Sequence, residues 1–217
     1  MEVKRRKVED GRWNVGKIRI LVFGFILYSI FSIPNSTHAD ITSSLVAHWN
    51  FDETSGPALD STANNNDGTI TGATRVAGRI GSGALSFDGI NDFINVGSGA
   101  SLDNIGVITI AAWVNLADNS PPGAIFAKVN WGSDSAIGPD FVIADETGGW
   151  ALNYWHGFSG AQGFWYSNSS VTVDTWQHVA VVYNRQSTAN DPVFYINGVP
   201  VGTTEEETPS GTALDDS

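Results

Sequence analysis

Short apolar runs with a period of two, each closed by a cluster of Gly, Asn, Asp, Ser or Pro, constrain this chain more than any single residue. Between Leu45 and Asp52, the side chains of Leu45, Ala47, Trp49 and Phe51 fall on one side of an extended chain, and His48, Asn50 and Asp52 on the other. Ile108, Ile110, Ala112 and Val114 oppose Thr109, Ala111, Trp113 and Asn115 in the same way. From Trp176 to Tyr183 both sides are largely apolar, the pattern of a strand covered on two faces. No stretch sustains an apolar stripe at the helical period, so helix is confined to a turn or two around Ser101 to Asn104. Ile196-Asn-Gly-Val199 predicts a type I′ hairpin turn joining strands 193–196 and 199–203, because Asn-Gly takes positive φ at low cost. The fold class predicted is all-β and antiparallel.

The first forty residues have a different composition. Lys4, Arg5, Arg6, Lys7, Arg12, Lys17 and Arg19 precede an apolar run, Ile20 to Ile33, which is followed by Pro34-Asn-Ser-Thr-His-Ala39. This is the pattern of an export leader with cleavage before Asp40, so residues 1–39 are expected to be a signal peptide and the product secreted or displayed at the cell surface. The run of about 14 residues falls short of the roughly 20 that span a bilayer, which places a retained membrane anchor second. Beyond residue 39 the only basic side chains are Arg75, Arg79, Lys128 and Arg185, against 20 of the chain's 23 acidic ones. The resulting net charge of about −16 repels phosphate backbones and anionic bilayers, which excludes nucleic acid as a partner and membrane insertion after processing. Cysteine is absent, so an exported product is held by its core alone, and residues 40–217 are one domain's worth of chain.

A series of phrases then narrows the fold. They are Leu45-Val-Ala-His-Trp-Asn-Phe-Asp-Glu53, Asp60-Ser-Thr-Ala-Asn-Asn-Asn-Asp-Gly68, Leu85-Ser-Phe-Asp-Gly-Ile-Asn-Asp-Phe93, Thr109-Ile-Ala-Ala-Trp-Val114, Trp176-Gln-His-Val-Ala180 and Phe194-Tyr-Ile-Asn-Gly-Val199. In this order and spacing they resemble the laminin G-like jelly-roll domain, a branch of the concanavalin A-like lectin/glucanase superfamily. The resemblance implies an antiparallel β-sandwich over residues 40–217. It also implies two or more further strands after the hairpin, the last lying beside the first strand, and these have no counterpart here. The domain is thus expected to lack its usual final strands. Leu45 to Asp52 is accordingly expected to carry an unpaired edge open to strand-mediated self-association.

Two acidic loops are candidates for calcium, whose six to eight ligands are oxygens. Asp60, Asn64, Asn66 and Asp67 form one, and Asp88, Asn91 and Asp92 the other; neither has EF-hand spacing, and turn chemistry alone also accounts for both. The resemblance adds Asp52, giving the set Asp52, Asp60, Asn66, Asp88 and Asp92. A second constellation is aromatic: Trp150, Tyr154, Trp155, Trp165 and Tyr166, with Phe158 and Phe164 nearby. Rings left exposed on a concave sheet would stack on sugars, with Asn153, His156, Gln162 or Asn168 supplying hydrogen bonds; loops covering the surplus rings is the alternative. Trp49, Trp113 and Trp176, which recur in the family's strand phrases, are expected in the core, and His178 as a packed strand residue.

No Glu is followed by the Asp-x-x-Glu spacing of the related β-glucanases, and Glu53, Glu146 and Glu205 to Glu207 fall in turn or loop contexts. The last three read as charges guarding an edge hairpin. The expectation is a non-catalytic recognition or adhesion module whose partner is a glycan or an extracellular protein. The other readings are a structural or assembly domain of a larger surface protein and a glycan-active enzyme or its remnant.

Overall fold

The computed structural model describes residues 45–117, 123–129, 136–146 and 148–217, together with the backbone of Ile18–Leu21. The chain is an antiparallel sandwich of one seven-stranded and one five-stranded sheet, with a small two-stranded ribbon. In chain order the strands are β1 (Ile18–Leu21), β2 (Thr69–Thr71), β3 (Thr74–Val76), β4 (Ala84–Ser86), β5 (Phe93–Asn95), β6 (Val107–Leu116) and β7 (Gly123–Val129). They continue with β8 (Ala136–Glu146), β9 (Gly149–His156), β10 (Gly163–Ser170), β11 (Trp176–Asn184), β12 (Val193–Ile196), β13 (Val199–Val201) and β14 (Thr203–Glu207). The larger sheet runs β13-β12-β11-β6-β1-β4-β3, the smaller β14-β10-β9-β8-β7, and the ribbon pairs β2 with β5. Helix among the described residues is a single 3₁₀ turn, Ala100–Leu102, close to where the sequence places one.

The period-two pattern sets which side chains meet between the sheets. Ala112, Val114 and Leu116 of β6, Val179, Val181 and Tyr183 of β11 and Phe194 of β12 face Phe141 and Ile143 of β8, Leu152 and Tyr154 of β9 and Trp165 of β10, all nearly or fully buried in one cluster. Aromatic contacts bridge the layers: Phe141 stacks on Phe194 at 6.4 Å, and Tyr183 lies 5.1 Å from Tyr154 and 5.2 Å from Trp165, centroid to centroid. Such pairs add to the burial of rings that each remove a large apolar area from water.

The hairpin turn has the predicted form, with Asn197 at φ 52° and Gly198 at φ 77°. Its second strand is shorter than expected. β13 ends at Val201, and after Gly202 the chain crosses to the other sheet as β14, so Glu205 to Glu207 lie in a strand rather than a loop. Their exposed charges on that sheet's edge still discourage pairing with another chain.

Two expectations are corrected. Leu45 to Asp52 does not form a ladder strand; its one bridge is Trp49 to Asp60, and Phe51 turns the chain at φ 58° while its ring stays buried in the core. The edge expected there therefore does not exist in that form. Trp49 is core, but Trp113 and Trp176 are half-buried on the outer face of the larger sheet, because they alternate with Ala112, Val114, Gln177 and Val179. His178 shares that outer face, edge-on to Trp113 at 5.6 Å, with the Arg79 guanidinium 5.4 Å from the same indole. The basic start and the Thr37 to Ala39 junction of the leader lie outside the described residues, whereas Ile18–Leu21 pairs between β6 and β4. No helix among the described residues is long and apolar enough to cross a membrane.

Candidate functional site

The outer face of the five-stranded sheet brings together the side chains that the core does not use. Strand register places Trp155 between Asp140 and Phe164, and Asn153 between Val142 and Tyr166, with Thr204 beyond Tyr166. Alternation then decides which rings face out. Trp155 lies flat on Phe164, with centroids 4.2 Å apart and planes 3° from parallel, and Phe164 meets Tyr166 at 6.1 Å and 48°. The result is a ledge of three aromatic residues in which Trp155 and Tyr166 are half-buried and Phe164 is buried.

Polar groups surround this ledge. Asn153, fully buried, donates from Nδ2 to Glu146 Oε1 at 2.7 Å, while its Oδ1 has no hydrogen-bond partner among the described residues. The indole Nε1 of Trp155 has none either. Both atoms are covered by protein, so neither is open to an incoming group. Burial raises the Glu146 pKa above its ordinary range, with Glu206 and Asp145 adding to the effect and the Asn153 amide opposing it. At the rim, Thr204 donates to Asn168 Oδ1 at 2.7 Å and Gln162 donates to Glu207 Oε2 at 2.7 Å.

Of the five aromatic residues singled out in the sequence, the structure divides three from two. Tyr154 and Trp165 have no exposed surface, and Trp150 packs against the same core, so these three are turned away from the outer face. Trp165 Nε1 donates to Asp191 and the Tyr154 hydroxyl pairs with His156, which satisfies their polar atoms inside the fold. Only Trp155 and Tyr166 reach the outer face. Phe164 and Glu146 complete the ledge; Phe164 was readable from its spacing of two from Tyr166, and Glu146 only once β8 and β9 are known to pair.

The acidic loops are built differently from a cation cage. Asp60 accepts from the amides of His48, Thr62 and Asn66 at 2.9 Å each, from the Thr62 hydroxyl at 2.9 Å and from Asn66 Nδ2 at 3.2 Å. Burial would raise its pKa, but these donors outweigh it and hold the carboxyl below its usual value. Asn66 is occupied in turn by Val46 O and Ser101. Asp52 accepts from the Ser82 and Gly83 amides and the Ser82 hydroxyl, which lowers its pKa. Asp88 accepts from the Ile90 and Asn91 amides, and Asp92 from the Asp88 amide. The calcium set expected from the sequence is thus dispersed over three groups of turn hydrogen bonds. Hydrogen-bond donors, rather than further oxygens, surround these carboxylates, and no group of three or more acidic or His side chains converges among the described residues. The arrangement fits turn construction better than a calcium site.

With this geometry in view, comparison with known proteins gives one match. Residues 87–217 match the family model for a laminin G-like domain, described as the concanavalin A-like lectin/glucanases superfamily. No curated protein and no solved structure matches the chain. The matched residues include β6 and every strand after it, and therefore the whole aromatic ledge.

Proposed function

We propose a glycan-recognition role for this chain, which belongs to the laminin G-like family of the concanavalin A-like lectin/glucanases superfamily. Domains of this family are generally non-catalytic and commonly bind glycans or extracellular proteins. The observation that carries the glycan reading is the ledge of Trp155, Phe164 and Tyr166 with the polar side chains of Thr204, Asn168 and Gln162 at its rim. A pyranose ring presents an apolar C–H face and a rim of hydroxyls. The ledge supplies the surface for the first, and the rim side chains Thr204, Asn168 and Gln162 supply hydrogen-bonding groups for the second. Glu146 holds Asn153 in place and accepts hydroxyl donors on its remaining oxygen. In this reading the product is exported and works outside the cell, where its acidic surface keeps it soluble.

A glycan-array screen with the full chain, followed by titration against the best hit, tests the proposal. Saturable binding to at least one neutral oligosaccharide is expected. Absence of binding to every glycan, with capture of an extracellular matrix protein instead, would reject the sugar reading.

A further inference from the structure

The larger sheet is not closed by residues 45–217 alone. Its central strands β6 and β4 do not pair with each other; each pairs with β1, which lies between them. Two strands that flank a third stand about 10 Å apart, too far to hydrogen-bond directly, so without β1 both would present a row of unmet N–H and C=O groups. No strand among the described residues after Leu45 is spare. β13 and β12 complete the opposite end of the same sheet, β14 belongs to the other sheet, and β2 and β5 are occupied by each other.

The slot also specifies what fills it. Residue 20 stands opposite both Leu85 and Val114, and residue 18 opposite Leu116, all three of which are fully buried. Residue 19 stands opposite Ser86 and Asn115, half-buried on the other face. The register therefore asks for apolar residues at the first and third positions and tolerates a polar one between. Ile18-Arg19-Ile20 meets that pattern. It does so from within the segment whose basic and apolar composition reads as an export leader.

We propose that the slot between β6 and β4 is a strand-acceptor site and that Ile18–Leu21 is its donor, a structural role for the leader-like segment. Cleavage near Asp40 then removes a central strand. Processing and sheet closure compete, and the processed chain offers the slot for strand addition. This differs from an exposed outer edge, because the acceptor has two parallel rows of backbone groups and a buried apolar floor.

Hydrogen exchange on the full chain tests this. Wild type is compared with the double variant Ile18→Asp/Ile20→Asp, alone and with a synthetic peptide of residues 15–24 added in molar excess. Amides in Ala84–Ser86 and Val107–Leu116 are expected to exchange at least about tenfold faster in the variant, and the peptide to restore their protection. A peptide carrying the same two Asp residues should restore nothing. If the variant fails to fold, recovery of a cooperative melt with the wild-type peptide gives the same answer. Unchanged protection in the variant would overturn the proposal. So would protection or folding that the peptide does not restore, or that the Asp-bearing peptide restores equally well.

Discussion

His156 gives the fold a specific sensitivity to acid. Its imidazole is 1% exposed, lies against Tyr154, Phe158 and Tyr183, and sits 3.4 Å from the Arg185 guanidinium through Nε2. Burial first, and then the Arg185 charge, push its pKa from 6.5 to about 4, although Asp216 pulls the other way. In the unfolded chain the ring takes up a proton near 6.5, and in the folded chain only near 4. Between those values the unfolded state binds more protons, so stability falls as pH falls; it is fully present above about 6.5 and lost below about 4. At about 1.4 kcal/mol for each tenfold difference in proton affinity, that interval amounts to roughly 3 kcal/mol. His178, whose pKa burial also lowers, adds to the same slope. Urea unfolding of wild type and His156→Gln at intervals from pH 7.5 to 4 measures it. Wild type should lose roughly 3 kcal/mol over the range, and the variant should be less stable at neutral pH but lose much less on acidification. Equal slopes in the two proteins would refute the assignment of this acid sensitivity to His156.

Three further outcomes follow from the same structure. Asp60→Ala strands three backbone amides and should cost about 3–5 kcal/mol by urea unfolding, the same in calcium and in chelator; a loss seen only with calcium present would restore the metal reading. In wild type the Asp60 contribution is complete above the ordinary 3.8 and disappears as pH falls through its lowered folded value, a window below that of His156. Asp216, 2% exposed and 3.4 Å from Arg185, anchors the C-terminal segment, and Asp216→Ala should cost about 3–5 kcal/mol because Arg185 loses its carboxylate and keeps only the neutral Asn104 and His156 as partners; a change in melting midpoint near zero would contradict this. Gly198→Ala meets no atom within 4 Å but holds φ at 77°, so a loss of about 1 kcal/mol from backbone strain alone is expected in thermal melts.

What the sequence made legible was the part governed by local rules. Alternation at Ile108 to Val114 and the Asn197-Gly198 turn are decided by backbone geometry within a few residues, and both are found in the structure. The face on which an aromatic residue ends up is harder to read. Trp165 and Tyr166 must oppose each other in any strand, but only the seating of Tyr183 beneath β10 decides that Trp165 is the one inside. Trp113 shows the same limit from the other side: its neighbours Ala112 and Val114 take the core positions, leaving the larger ring half-covered outside. The Asp-rich loops read two ways in the sequence because turns and calcium sites draw on the same oxygens. Whether a carboxylate meets amides or cations depends on chain segments far apart, as when Asp52 reaches Ser82 and Gly83.

The central claim is that the outer face of the five-stranded sheet binds sugar through its aromatic ledge. Titration of one array-positive oligosaccharide into wild type, Trp155→Ala, Tyr166→Ala and Trp165→Ala tests it most directly, with a melt recorded for each. Trp155→Ala and Tyr166→Ala should weaken binding by about 2 kcal/mol or more, near thirtyfold in Kd, while keeping a cooperative melt. Trp165→Ala should instead lose about 3–5 kcal/mol of stability through the cavity it leaves. Full affinity in both outer-face variants would contradict the account and move the site off this sheet.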